Sequence, residues 1–498
     1  MGRVIPVPFC AFVMLLLPLV GYGQSLADMS ELLHPLLIEI SPDGATLWYR
    51  IGQDAQLRDG LWETSVNSDR APRLSNRIVP KAEARPSVPG SPNASSVTRS
   101  PDGKHVAWLD TDKDESIGPT YLYCSCHQQA QDTKLQPMSR KPILAFQWAE
   151  TSNSFWVIAG DGPDEPVGHL NSDGHFEQIT RTPAVRRRGG FVASGGAVAW
   201  VESDGSHYAR IWTRDRNGRV RMRVELNPQV SKWTLGKQEV IRWRNGAGEE
   251  LHGVLVRPNG RRLPLIVDPY SSGRNGFLNV AVMGNYIFVK EGFAVFLPNH
   301  RAPHTLPAAM FGTDYVGRAK DRDPVNVLVD DVMSGVDELI RRGIADPDRL
   351  FLYGFSNGAS SVNQLLTQTQ RFRAAVSGGG VADWLVWYRE RFATAGDFIA
   401  QFLGGHRPED SLDLYRRISP FYQVHKISTP LLLAIGDKDT RLPDTTRFYE
   451  ALRAAGAPAT LVTYPGDGHG LSRASTEDYI RRTLSLFRSA MKPHSAAH

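Results

Sequence analysis

The chain has 498 residues, of which 41% are hydrophobic and 22% charged, with a net charge of +5. That length exceeds one ordinary core and calls for two or three domains, and the composition excludes wholesale disorder. The positive excess is dispersed. Its densest cluster, Arg186-Arg187-Arg188, has no interleaved aromatics and reads as a solvated loop, so no nucleic-acid partner is expected.

At the N-terminus, Arg3 precedes an apolar stretch from Val4 to Val20, followed by Gly21-Tyr22-Gly23. One positive charge, a short apolar region and small residues at its end predict a signal peptide over residues 1–24. A retained membrane anchor is the competing reading. The run is short for a span, however, and Pro6, Pro8 and Pro18 interrupt it. The expectation is an exported protein, periplasmic or secreted, with no integral span after cleavage.

Residues 27–240 read as all-β. "SPDGATLWYR" (Ser41 to Arg50) recurs as "SPDGKHVAWL" (Ser100 to Leu109), with weaker echoes from Ala145 and from Phe191. Each is a turn followed by alternating apolar residues. The starts fall about 59, 45 and 46 residues apart, in the range of propeller blades, and blades of about 40–45 residues would fit about five times. A β-sandwich with repeated turns is the alternative. Ile78 to Ser96, rich in Pro and Ser, reads as a long loop or linker. Outside the signal the cysteines are Cys124 and Cys126; with His127 adjacent but no second ligand cluster, they read as free or locally paired thiols.

The rhythm changes at residue 241. A hairpin around Asn245-Gly246 gives way to alternating strands and helices as far as the C-terminus. "LPLIVDPY", "FAVFLPN", "FLYG", "FRAAVSGG", "PLLLAIG" and "ATLVTYP" read as strands, and the segment from Val325 to Gly343 as a long helix. Such βα alternation predicts a doubly wound, mostly parallel sheet over 241–498.

Four residues in this half are candidates for a catalytic set of three. Ser356 lies in Gly354-Phe355-Ser356-Asn357-Gly358, a G-x-S-x-G between a strand and a helix. Asp437 and Asp439 follow "PLLLAIG", and His469 follows "ATLVTYP". A serine hydroxyl needs a base to take its proton and an acid to fix that base's tautomer. Ser, Asp, His in that order, each just past a strand, is the α/β-hydrolase arrangement. The oxyanion would be held by the backbone N–H of Asn357 and by a donor after the first parallel strand, where Tyr270 stands.

Residues from about 240 onward resemble the catalytic domain of prolyl oligopeptidase family serine peptidases. The resemblance is carried by "PLIVDPYSSG", "GFAVFLPNHRA", "GVDELIRRGIADPDRLFLYGFSNGAS", "GDKDTRLP" and "YPGDGHG". It implies an α/β-hydrolase domain preceded by a β-propeller. It also implies Ser356 as nucleophile, Asp439 rather than Asp437 as acid, His469 as base and Tyr270 as oxyanion donor. Trp384 and Trp387 would line the pocket for the residue before the scissile bond. The chain departs from the family pattern in having room for fewer than the usual seven or eight blades. Its one Glu-Glu pair, Glu249-Glu250, lies outside the propeller, so dipeptide release is not implied. "SSGRNGFL" and "GASS" resemble the lasso-peptide isopeptidase branch. The expected partner is a peptide substrate, with no metal or other cofactor. An esterase on the same fold, or a non-enzymatic binding protein, are the alternatives.

Overall fold

The computed structural model describes residues 32–491, apart from 54–55, 58–59, 78–94, 112–119, 128–141, 162–163, 172, 182–183, 187–189, 234–235, 271–285, 301–322, 391–399, 401–402 and 404–405. The expected signal peptide lies outside these residues, as does most of the predicted linker from Ile78.

Four antiparallel sheets follow one another between Leu33 and Glu225. Their first strands are Leu33–Ile40, Ser95–Arg99, Ile143–Trp148 and Phe191–Ser194. The four sequence repeats fall on the first hairpin of each sheet. In the first, Ser41 Oγ donates to Asp43 Oδ1 at 2.5 Å and accepts from the amides of Ala45 and Thr46. Ser100 does the same with Asp102 and His105 in the second. Polar side chains that satisfy the turn's own amides are what make the motif recur. The sheets pack face to face. Leu37, Leu47 and Tyr49 of the first meet Ala199 and Ile211 of the fourth; Ile158 of the third meets Trp200 of the fourth; Leu109 and Leu122 of the second meet Phe146 and Val157 of the third. These are propeller-like blades.

Two expectations change here. The described residues form four sheets where length allowed about five, because the sheets start near residues 33, 95, 143 and 191, a longer repeat than 40–45. The segment after Glu225 adds a short 3-10 helix, Pro228–Lys232, in place of another sheet. Arg186 is also not a solvated side chain. It is 1% exposed, its guanidinium reaches Glu202 at 2.7 Å, and its backbone N–H donates to Glu165 Oε2 at 2.6 Å. A guanidinium can be buried there because carboxylates and carbonyls match its fork of donors. Cys124 and Cys126 are joined as a disulfide.

An eight-stranded sheet forms the second half: β1 (Lys237–Arg244), β2 (Glu250–Arg257), β3 (Leu263–Val267), β4 (Ala294–Pro298), β5 (Ala345–Phe355), β6 (Ala374–Gly378), β7 (Leu431–Gly436) and β8 (Ala459–Tyr464). Its order is β1-β2-β4-β3-β5-β6-β7-β8, parallel from β4 onward, with β2 antiparallel to both neighbours. Helices cover both faces: α1 (Tyr286–Lys290), α2 (Pro324–Arg341), α3 (Asn357–Leu366), α4 (Trp384–Glu390), α5 (Leu412–Arg417), α6 (Leu442–Ala454) and α7 (Arg473–Met491). Coverage on both faces is why the central strands are continuous apolar runs rather than alternating ones. Val332, Val336, Leu365 and Phe448 close one face, and Phe288, Tyr479 and Phe487 the other. α2 starts where it does because Asp323 Oδ1 accepts from Val325 and Asn326 N–H, with Pro324 in the first turn.

The two halves share a core. Leu32 and Val230 pack with Val254, Val256 and Tyr286 of the second half. Asn227 ties the junction: its Oδ1 accepts from Leu33 N–H at 2.8 Å, and its Nδ2 donates to the carbonyls of Leu33 and Tyr208.

Candidate active site

β5 ends at Phe355 and α3 starts at Asn357, which leaves Ser356 alone to turn the chain. It does so with φ 55° and ψ −122°, a conformation that costs a non-glycine residue strain. The glycines on either side permit the tight crossing. A Cβ at Gly354 would lie 2.4 Å from the Gly358 carbonyl carbon, and one at Gly358 would lie 3.0 Å from Tyr270 Cβ. Ser356 N–H donates to Gly378 O at 2.7 Å, which fixes the turn to β6.

His469, in the loop after β8, places Nε2 2.9 Å from Ser356 Oγ and Nδ1 2.7 Å from Asp439 Oδ2. Burial would raise the Asp439 carboxyl, but the hydrogen bond from His469 and the Arg441 N–H outweigh it and hold it below the usual aspartate value. An ionised carboxylate accepts only, so Nδ1 carries the proton and Nε2 presents a lone pair to the serine hydroxyl. Asp437 has a different position: its Oδ1 accepts from Gly466 N–H and braces the loop before His469.

Arg441 was not singled out from sequence, and the structure brings it into the same cluster. Its Nη1 lies 3.3 Å from Ser356 Oγ, 2.8 Å from His469 Nε2 and 3.0 Å from His469 Nδ1, and donates to Gly379 O at 2.9 Å. Its guanidinium stands 5.0 Å from the Trp387 ring centroid. The only sequence signal was its place two residues past Asp439, in the same turn.

The two predicted pocket tryptophans part company. Trp387 is partly exposed and reaches the cluster through Arg441. Trp384 is 7% exposed and packs with Leu385, Tyr388, Tyr415 and Ile418. α4, which carries both, is held at its start by Asp383 Oδ1, which accepts from Leu385 and Val386 N–H.

On the other side of Ser356, Asn357 opens α3, where the first amides have no partner within the helix. Tyr270 follows β3 and lies against Gly358. Two further residues, also not singled out from sequence, hold it there. Asp268 Oδ1 accepts from Tyr270 N–H at 3.2 Å, and burial pushes that carboxyl up to about 7. His300 Nε2 lies 2.9 Å from Pro269 O.

Residues 281–494 match the profile described as "Prolyl oligopeptidase family". Among curated proteins, the uncharacterized peptidase YuxL of Bacillus subtilis is 28% identical over 273 residues, covering 53% of this chain and 40% of that protein. The lasso peptide isopeptidase AtxE2 of Asticcacaulis excentricus is 30% identical over 283 residues, covering 51% and 37%. The chain thus spans about two fifths of the length of these relatives. Among solved structures, a puromycin hydrolase superposes with a TM-score of 0.65 at 19% identity, covering 92% of this chain and 69% of that one. The Pyrococcus horikoshii acylaminoacyl peptidase gives 0.65 at 17%, covering 93% and 72%. These superpositions span both halves, so the fold is that of a propeller followed by an α/β-hydrolase domain.

Proposed function

We propose, because residues 281–494 belong to the prolyl oligopeptidase family of serine peptidases, that this protein is an exported peptidase that cleaves short or unusual peptides through an acyl-enzyme. The observation that carries it is the line of contacts from Asp439 through His469 to Ser356, at 2.7 and 2.9 Å.

In this mechanism His469 Nε2 takes the Ser356 proton as Oγ attacks the scissile carbonyl. Asp439 keeps the imidazole in the required tautomer and steadies the imidazolium. The oxygen that gains negative charge meets the Asn357 N–H and the Tyr270 phenol. His469 then protonates the leaving amine, and water repeats the sequence on the acyl-enzyme. Arg441 supplies a cation beside the nucleophile. Its donors face Ser356 and His469 until a substrate carbonyl gives them a better acceptor, and Trp387 backs it.

The propeller-like half would limit access to small or extended peptides, and the N-terminal segment would direct export. A second reading is favoured by the 30% identity to a lasso peptide isopeptidase: the scissile bond would then be an isopeptide in a compact, non-linear substrate. The test is labelling of the purified protein with a fluorophosphonate probe, beside Ser356→Ala. Label on the wild type and none on the variant supports an activated serine. Folded wild type that takes no label sinks the mechanism. Turnover of linear peptide amides against an isopeptide-bonded peptide then separates the two substrates.

A further inference from the structure

We propose that His300 is a positioning residue for the Tyr270 phenol, acting through the Pro269 carbonyl; this rests on the oxyanion role given to Tyr270 above. An oxyanion donor is effective only when its place is fixed before charge develops, because a donor that must reorganise contributes little. Tyr270 is poorly placed for this by its own chain. It stands three residues past the end of β3, and its phenol lies at the far end of a long side chain.

Three contacts replace the missing strand. Asp268 accepts the Tyr270 N–H, from its own strand end. Gly358 packs against Tyr270 Cβ, from the start of α3. His300, from the end of the neighbouring β4, meets Pro269 O at 2.9 Å. His300 ties the segment to the end of β4, as Gly358 ties it to the end of β5, and of the three contacts it alone is a side-chain hydrogen bond from outside the Tyr270 loop. His300 is 1% exposed. Burial lowers its pKa to about 4, outweighing the Pro269 carbonyl and the Asp331 carboxylate of α2, both of which favour the charged form. A neutral ring has one N–H, and a carbonyl can only accept, so Nε2 carries the proton and donates it to Pro269 O. Asp331 is itself held by Asn245 Nδ2 at 2.9 Å. The hydrogen bond to Pro269 therefore keeps one form across the neutral pH range.

The experiment is a double-mutant cycle of His300→Leu with Tyr270→Phe, read as kcat and KM on p-nitrophenyl butyrate. His300→Leu should lower kcat about 10- to 30-fold and leave KM within about twofold, since the lost positioning matters where charge develops. His300→Gln, whose amide can still donate to Pro269 O, should stay within about threefold of wild type. In the Tyr270→Phe background, His300→Leu should cost less than about twofold more. Additive losses, or a Gln variant as poor as Leu, overturn the inference. If the Leu variant does not fold, His300→Asn takes its place, because its amide is too short to reach and should behave as Leu would. A Tyr270→Phe protein as fast as wild type overturns the oxyanion assignment itself, which is a separate failure.

Discussion

At the scale of single residues, the chemistry depends on which groups are charged and when. Ser356→Ala should lower kcat at least about a thousandfold, and Asp439→Asn by a similar factor, because an amide no longer selects the Nδ1–H tautomer of His469. Arg441→Ala should act differently, raising KM more than it lowers kcat, since its donors turn to substrate; steady-state kinetics on one peptide amide separates the two patterns. Asp268 gives a pH signature. Its folded pKa is raised from 3.8 to about 7, so the folded protein holds a proton that the unfolded chain has released. The stability this group contributes is therefore full below about pH 4 and lost as pH rises through about 7. Asp268→Asn has no such loss and can still accept from Tyr270 N–H. The melting temperature of the variant relative to wild type should climb between pH 4 and 7 and then level. A flat difference would refute it. Ser356, Asp439 and His469, the proposed catalytic set, could be picked out from sequence because each lies just past a strand, and Ser356 and His469 are flanked by glycines. Arg441, His300 and Asp268 could not, because their meaning comes from what faces them: Ser356, Pro269 and Tyr270.

At the scale of elements, the elbow between β5 and α3 concentrates the most constraint in the fewest residues. Gly354 has backbone 2.4 Å from where a Cβ would stand, so neither a rotamer change nor a flexible neighbour can relieve Gly354→Ala. The expected cost is about 3 kcal/mol by denaturant unfolding, with α3 pushed away from β5 and fluorophosphonate labelling lost. A soluble variant that labels at the wild-type rate would show that the elbow tolerates a wider crossing. The same logic explains which elements were legible. The strands of the second half are buried on both faces, so each appears as an apolar run with a clear end. The repeats of the first half announced hairpins, and each marks the opening of one sheet. Their number was not legible from length, because each sheet's first hairpin is regular while its last strand varies, from Arg73–Ser75 and Phe176–Gln178 to the longer Val220–Glu225.

At the scale of the molecule, the proposed action on a bounded set of peptides would require the two halves to keep their relation. That relation passes through a few residues. Asn227 lies just after the fourth sheet and bonds both to Leu33, at the start of the first, and to the Tyr208 carbonyl. It thus joins first sheet to fourth, and Leu32 and Val230 beside it enter the core of the hydrolase half. Asn227 is 1% exposed, so Asn227→Ala would strip buried backbone groups of their partner without admitting water freely. The loss should be about 2–4 kcal/mol, and it should fall on the propeller-like half first. Scanning calorimetry would then split one transition into two, with the lower one from the first half. Turnover of p-nitrophenyl butyrate should persist between the two transitions, because Ser356, His469 and Asp439 all hang from the eight-stranded sheet. Size discrimination should not: the ratio of rates on long peptides to rates on the small ester should rise once the first half loosens. If ester turnover vanished with the lower transition, the first half would be part of the catalytic framework rather than a limit on access to it.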